Sequence, residues 1–319
     1  MPDLPLTLAC GDYHLNRALV DGRVRVDGVA LTVLASLSTP ERHRRMIRYQ
    51  EFDACELALS TYFAARTRGL PFVAIPAFPS RRFRHSWILV GEDAAIREPA
   101  DLAGKRIAVR NFSNPAALWQ RGLLADDYGV ALASCRWLLY DEEDVPFTPP
   151  SHFDWQRLPA GTDPFDLLRR GAVDAHLAQQ EPEALPPGVR RLFPDYAAVE
   201  ADYYRRTGVF PIGHCIVLRE AIAREHPWLP ARLLAAFRAA KDVACRELRD
   251  AQVVALAWAR HAYEQQLALM GPDPWQYSLA GSRPTLEAML RYCLTHGIVR
   301  EAVPLEALFA PTTVDDLGR

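Results

Sequence analysis

Apolar and polar positions along the first hundred residues change period repeatedly, from the alternation of a half-buried strand to the three-to-four spacing of an amphipathic helix. Residues 6–9 read as a short strand ending at Gly11, Asp12 and Tyr13, and residues 29–34 as a second strand after the turn-like Asp27 and Gly28. Helical spacing covers about 39–50 and 59–67; between them, residues 52–58 read as a short buried strand whose end meets Ser60. Strands at 72–75 and 85–90 follow. This alternation predicts an α/β architecture with a largely parallel sheet.

Further along, a helical turn near residues 96–102 leads through Gly104 into a strand at 106–109, and residues 110–115 precede a helix at 116–126. A helix amino terminus after a parallel strand offers unpaired amides, so Asn111, Ser113 and Asn114 sit where an anionic ligand can be held. The same residues equally suit helix capping. Strand candidates at 136–140, 156–158 and 173–177, with a helix at 164–170, complete a second α/β unit. A strand at 215–218 follows, and from Glu220 onward the pattern is mainly helical, at 229–248, 253–270, 283–296 and 305–308. The most economical layout is two α/β lobes with a carboxy-terminal helical layer and a site between the lobes.

Composition narrows the function classes. The chain has 319 residues, 50% hydrophobic and 24% charged, with a formal net charge of -2. A near-neutral balance gives no electrostatic support for nucleic-acid binding. No stretch approaches the roughly 18 uninterrupted apolar residues of a membrane span. The amino terminus lacks a basic region followed by a long apolar segment and a small-residue cleavage site, which predicts a cytoplasmic protein. Six cysteines and nine histidines form no Cys-x-x-Cys or His-Glu-x-x-His pattern, so free thiols are expected and no metal is indicated.

Against this neutral background, Arg81, Arg82, Arg84 and His85 stand directly before an apolar run. A guanidinium carried toward a core needs a fixed anion, and a carboxylate suits its planar fork. A small organic acid is the ligand this suggests, although alternate residues of an edge strand can also simply be solvated.

Longer strings carry a resemblance. Leu8 to Tyr13, Phe78 to Val90, Arg121 and Gly122 with Asp127 to Val130, Tyr203 to Ile212, Leu269 to Gly271 and Leu308 to Pro311 are similar to the 4,5-dihydroxyphthalate decarboxylase family. The resemblance covers nearly the whole chain. It implies a fold like that of type II periplasmic binding proteins, with one lobe formed by residues 1–90 and 205–319 and the other by 91–204. It also implies a cofactor-independent loss of carbon dioxide from a hydroxylated aromatic acid. In 4,5-dihydroxyphthalate each carboxylate is para to a hydroxyl, whose electron donation allows protonation of the carbon that bears the carboxylate.

Such a reaction needs an acid near the ring carbon and cations for the retained carboxylate. His85 and His214 are the candidates for proton transfer, and Asp12 is a candidate hydrogen-bond acceptor or acid. Arg82 and Arg84 are the expected carboxylate clamps, with Arg81 the solvated member by alternation; Ser60, Asn111 and Ser113 complete the cradle. Either histidine can instead bridge buried carbonyls, and Asp12 can be a turn former. The chain departs from the family pattern after Val109, where Arg110 to Pro115 stand, and at Gly213, where the family usually has methionine. Both departures imply a roomier, more anion-seeking pocket. Alternatives are a solute-binding-type protein that captures a small acid unchanged, and another acid-processing enzyme such as an isomerase or a different lyase. The carboxy-terminal helix faces suit either lobe packing or a homo-oligomer.

Overall fold

The computed structural model describes residues 2–180, 183–250 and 252–314. Among these residues eleven strands form two mixed sheets: β1 (Leu4–Ala9), β2 (Val29–Leu34), β3 (Ala54–Ala58), β4 (Phe72–Arg81), β5 (Ile88–Gly91), β6 (Arg106–Val109), β7 (Arg136–Leu139), β8 (Asp154–Arg157), β9 (Ala175–Leu177), β10 (Val189–Arg191) and β11 (Ile212–Arg219). The first sheet runs β2-β1-β3-β11-β4 and the second β10-β5-β9-β6-β7-β8.

The chain divides into two compact units, the first made of residues 1–81, 212–286 and 303–319, the second of 82–211 and 287–302. The boundaries therefore fall at Arg81 and Ile212 rather than near 90 and 205, and residues 287–302 join the second unit rather than the first.

In unit 1, β1 pairs in parallel with β2 and β3, while β11 runs antiparallel between β3 and β4. Alternation in β1 buries Leu6 and Leu8, whereas every residue of β3 is buried, as a central strand covered on both faces requires. The helix Thr39–Tyr49 turns Arg42, His43 and Met46 inward, which are neighbours on one face at three- and four-residue spacing. β4 runs to Arg81 through Pro76 and Pro79 because it is an edge strand, where a missing amide is tolerated.

Unit 2 holds a parallel core of β9, β6, β7 and β8, with β5 and β10 antiparallel at one side. The parallel sheet expected from the sequence is thus mixed in both units. The helix Pro115–Tyr128 begins with proline and is capped by the Asn114 side chain, which accepts from Ala116 N at 2.9 Å. Within it Gly122 lets Tyr292 approach, since a Cβ there would lie 2.3 Å from the Tyr292 ring. Residues 85–87 form a 3-10 turn instead of the start of a strand. No helix among the described residues is long and apolar enough to cross a membrane.

Candidate active site

The centre of unit 1 is a fully buried carboxylate. Glu56 lies in the middle of β3 with 0% exposure, flanked by Ala54, Cys55, Leu57 and Ala58. An ion there must have its partners fixed, and it does. Its Oε2 accepts from Arg42 Nη2 and from the Gly11 amide, each at 2.8 Å. Its Oε1 accepts from the Tyr13 hydroxyl at 2.8 Å and from Nδ1 of His214.

Each partner is placed by local structure. Arg42 is buried on the inner face of its helix and also donates to Leu37 O and Tyr13 Oη, both at 3.1 Å. The turn after β1 is pinned by buried Asn16, whose Nδ2 donates to Gly11 O at 2.8 Å and whose Oδ1 accepts from Tyr13 N at 3.0 Å. Gly11 leaves room for the Tyr13 ring in this position, since a Cβ there would sit 2.5 Å from Tyr13 Cζ. His214, on β11, is opposite Ala58 of β3 and Ser80 of β4, and its ring meets His43 edge-on at 5.4 Å.

Burial by itself would raise the Glu56 carboxyl, but the charge and hydrogen bond of His214, the charge of Arg42 and the Gly11 amide outweigh it and hold it well below the usual carboxylate range. Burial, then the charge of Glu56, pushes the Tyr13 hydroxyl upward, so it stays protonated and donating. The His214 side chain retains 17% exposure, and its Nε2 has no hydrogen-bond partner among the described residues. A half-buried imidazole with one nitrogen fixed by a carboxylate and the other unengaged is equipped to move a proton.

Of the other residues expected in unit 1, Ser60 is fully buried at the start of the helix Leu59–Thr67. Asp12 is exposed and paired with Arg17 Nε at 3.0 Å, so the acid held against His214 is Glu56 instead. Arg81 is not solvated: β4 continues through it, and it is buried with Nη2 donating to Gln276 O at 2.8 Å and Ser282 Oγ at 2.5 Å. The missed signal for Glu56 was a single acid inside an apolar five-residue strand.

Unit 2 holds the remaining expected residues. The Arg84 guanidinium is buried over the Trp87 indole at 4.8 Å, and exposed Arg82 approaches the same indole at 5.7 Å. Arg84 Nη1 reaches Gln179 O at 3.3 Å, its Nε is buried without a hydrogen-bond partner, and no carboxylate among the described residues lies at ion-pair distance. Burial and then the charge of Arg82 push Arg84 down to about 9. Gln179 Oε1 also accepts from Asn114 Nδ2 at 2.8 Å and Arg110 Nη1 at 3.4 Å.

His85, also in unit 2, is 1% exposed among Phe193 and Tyr203 at 5.3 Å and Tyr128 at 6.3 Å. Neither ring nitrogen has a hydrogen-bond partner among the described residues, Nδ1 lying 3.9 Å from Glu200 Oε1, and burial followed by the charge of Arg206 lowers it to about 4. It is a neutral aromatic-packed ring at pH 7. The amides before the helix Pro115–Tyr128 are occupied by the chain itself: Glu143 accepts from Phe112 N at 2.6 Å, Ser113 N at 3.1 Å and Ser113 Oγ. Asn111 donates to Glu142 O at 2.7 Å. The loop after β7 thus supplies the anion that was expected from a ligand, close to the fully buried Arg121.

The chain is 34% identical over 328 aligned residues to a 4,5-dihydroxyphthalate decarboxylase of Comamonas testosteroni, covering 99% of each chain. The chain belongs to the 4,5-dihydroxyphthalate decarboxylase family. The class of reaction that names this family makes it one of carboxy-lyases. A second member, from Pseudomonas putida, is 34% identical over 216 residues, covering 64% of this chain and 83% of its own. Residues 32–145 match the model of a family described as ABC transporter, phosphonate, periplasmic substrate-binding protein. The periplasmic aliphatic sulphonate binding protein SsuA of Escherichia coli has a similar fold, with a TM-score of 0.53 at 16% identity over 98% of this chain and 99% of its own. A protein of Archaeoglobus fulgidus gives 0.54 at 13% identity over 92% of this chain and 98% of its own. These likenesses assign a periplasmic-binding-protein-like α/β fold to this family member.

Proposed function

We propose that the protein decarboxylates a hydroxylated aromatic acid without a cofactor, with the conversion of 4,5-dihydroxyphthalate to protocatechuate and carbon dioxide as the reference reaction. The observation that carries this reading is the setting of His214, whose Nδ1 is bound to a buried ionised carboxylate while Nε2 has no hydrogen-bond partner among the described residues. The imidazolium gives its Nε2 proton to the ring carbon bearing the carboxylate, and the para hydroxyl oxygen supports the positive charge on the ring. The carbon–carboxylate bond then breaks, its electrons restore the aromatic ring, and carbon dioxide leaves. Neutral imidazole regains its proton from water, so one proton is consumed per turnover.

In this reading Asp12 and His85 take no part in proton transfer. The pair Arg82 and Arg84 recognises an organic carboxylate. Two guanidinium groups share one indole, one of them buried, and neither is at ion-pair distance from a carboxylate among the described residues. An anion relieves both their repulsion and the cost of burial.

Binding without chemistry is the second reading, favoured by the fold shared with the sulphonate-binding protein. Incubating the purified chain with 4,5-dihydroxyphthalate and following protocatechuate and carbon dioxide separates the two. Stoichiometric appearance of both supports decarboxylation, whereas a thermal upshift with no product supports capture.

A further inference from the structure

We infer that Glu56 is a positioning residue that fixes the hydrogen of His214 on Nδ1 and thereby assigns proton transfer to Nε2. The inference rests on the proposed role of His214 and adds the machinery behind it: Glu56, Arg42, Tyr13 and Gly11.

Around Glu56 stand the Arg42 guanidinium and Gly11 amide at Oε2, and the Tyr13 hydroxyl and His214 Nδ1 at Oε1. The first two can only donate, and Tyr13 already accepts from Arg42 at 3.1 Å, so its hydrogen is free to point at Glu56. A carboxyl hydrogen on Oε2 would face an obligate donor, and one on Oε1 would need Nδ1 of His214 as its acceptor; the buried counter-charge of Arg42 and the Gly11 amide favour the ionised form instead. An ionised carboxylate accepts only, and Nδ1 of His214 must therefore carry a hydrogen. In the neutral ring Nε2 is then the basic atom; in the charged ring it is the outward donor.

The surrounding elements keep this arrangement rigid. Arg42 comes from a helix face, Glu56 from a central strand, and Tyr13 and Gly11 from a turn that Asn16 ties at both ends. His43 is the other titratable ring against His214, and the opposed backbone positions carry Ala58 and Ser80. Arg42 gives the carboxylate a permanent counter-charge, so Glu56 has no need to take the proton from the imidazole. Glu56 thus serves as the acceptor for Nδ1, and Nε2 is the outward nitrogen of the ring.

Glu56→Gln tests this because an amide cannot satisfy four donors. Its NH2 must face either the two obligate donors at Oε2 or the two adaptable ones at Oε1. The second choice is open only if Nδ1 of His214 becomes an acceptor, which moves the hydrogen to Nε2. The measurement is the nitrogen NMR spectrum of labelled full-length protein followed to alkaline pH, where the ring is neutral and its two tautomers are distinguished. The wild type is expected to show the Nδ1–H form and Glu56→Gln the Nε2–H form, with kcat lowered about 100-fold or more and KM within a few-fold. Tyr13→Phe should keep the Nδ1–H form and shift its proton resonance downfield, since one donor then has Oε1 to itself. A wild type in the Nε2–H form overturns the inference even if no variant folds, as does a Glu56→Gln protein that retains the Nδ1–H form. A wild type with Nδ1–H that makes no protocatechuate leaves the positioning intact and removes the proposed reaction.

Discussion

Arg42→Met removes one partner of a pair in which Arg42 is 2% and Glu56 0% exposed. Breaking a buried ion pair from one side costs about 3–5 kcal/mol, because the remaining charge stays in a poorly solvating interior. Glu56 keeps the Gly11, Tyr13 and His214 donors, which places the expectation near the lower end, about 3 kcal/mol. Methionine fills much of the aliphatic stem, so little of the loss is cavity. Because the chain has two units, global unfolding is a poor reporter, and amide hydrogen exchange along β3 and β11 reads unit 1 directly. Those amides should exchange on the order of 100-fold faster in Arg42→Met, with unit 2 amides unchanged. In the cycle with Glu56→Met, the double variant should be more stable than the sum of the singles by about 2 kcal/mol or more. Acceleration below about threefold, or strict additivity, would refute the claim that this is a desolvated, coupled pair.

Three further outcomes follow from the same contacts. His85→Phe should leave turnover within about threefold and stability equal or higher by about 1 kcal/mol, since it removes two buried nitrogens that lack hydrogen bonds among the described residues, Nδ1 standing 3.9 Å from Glu200; a hundredfold loss of kcat would restore His85 as the proton donor. Arg84→Met should abolish the thermal upshift produced by phthalate while the free protein becomes no less stable, because a buried cation is removed that has no carboxylate at ion-pair distance among the described residues and feels Glu200 only from farther away; a large destabilisation would show the guanidinium to be structural. Burial lowers His85 and His176 from 6.5 to about 4 and His296 to about 3. The unfolded chain takes up protons first, so their contribution is present above pH 6.5 and is lost as pH falls toward 4, by about 1–2 kcal/mol per ring at pH 5. Melting curves should show a lower Tm at pH 5 than at pH 7.5, and an unchanged or higher Tm would contradict buried neutral rings.

Much of the fold is written in local pattern. Alternation at Leu6 and Leu8, the turn at Gly28 and the wholly apolar surroundings of Glu56 all marked strands that form. What local pattern missed depends on neighbours. β4 extends past Pro76 and Pro79 because it lies at a sheet edge, a fact set by the distant β11. That extension carries Arg81 into hydrogen bonds with residues near 280, and the 3-10 turn after it reverses which arginine of the cluster is buried. β11 starts at Ile212, three residues before the apolar run that suggested it, since Gly213 and His214 hide its start from a hydrophobicity reading. His214 was legible as a candidate, but its partner was not. Glu56 is separated from it by 158 positions, and only strand pairing brings them together. Ser113 was read as part of an anion cradle; its amide and that of Phe112 donate to Glu143, while the Asn111 side chain donates to Glu142 O, and these partners from the loop after β7 are not visible in local pattern.

The most direct test of the proposed chemistry is the turnover of His214→Asn on 4,5-dihydroxyphthalate beside the wild type. The account predicts that the wild type releases carbon dioxide and protocatechuate together, and that His214→Asn lowers kcat by roughly 10²–10⁴-fold with KM within a few-fold. Retained turnover in the variant, or a wild type that binds the acid and returns it unchanged, would contradict it.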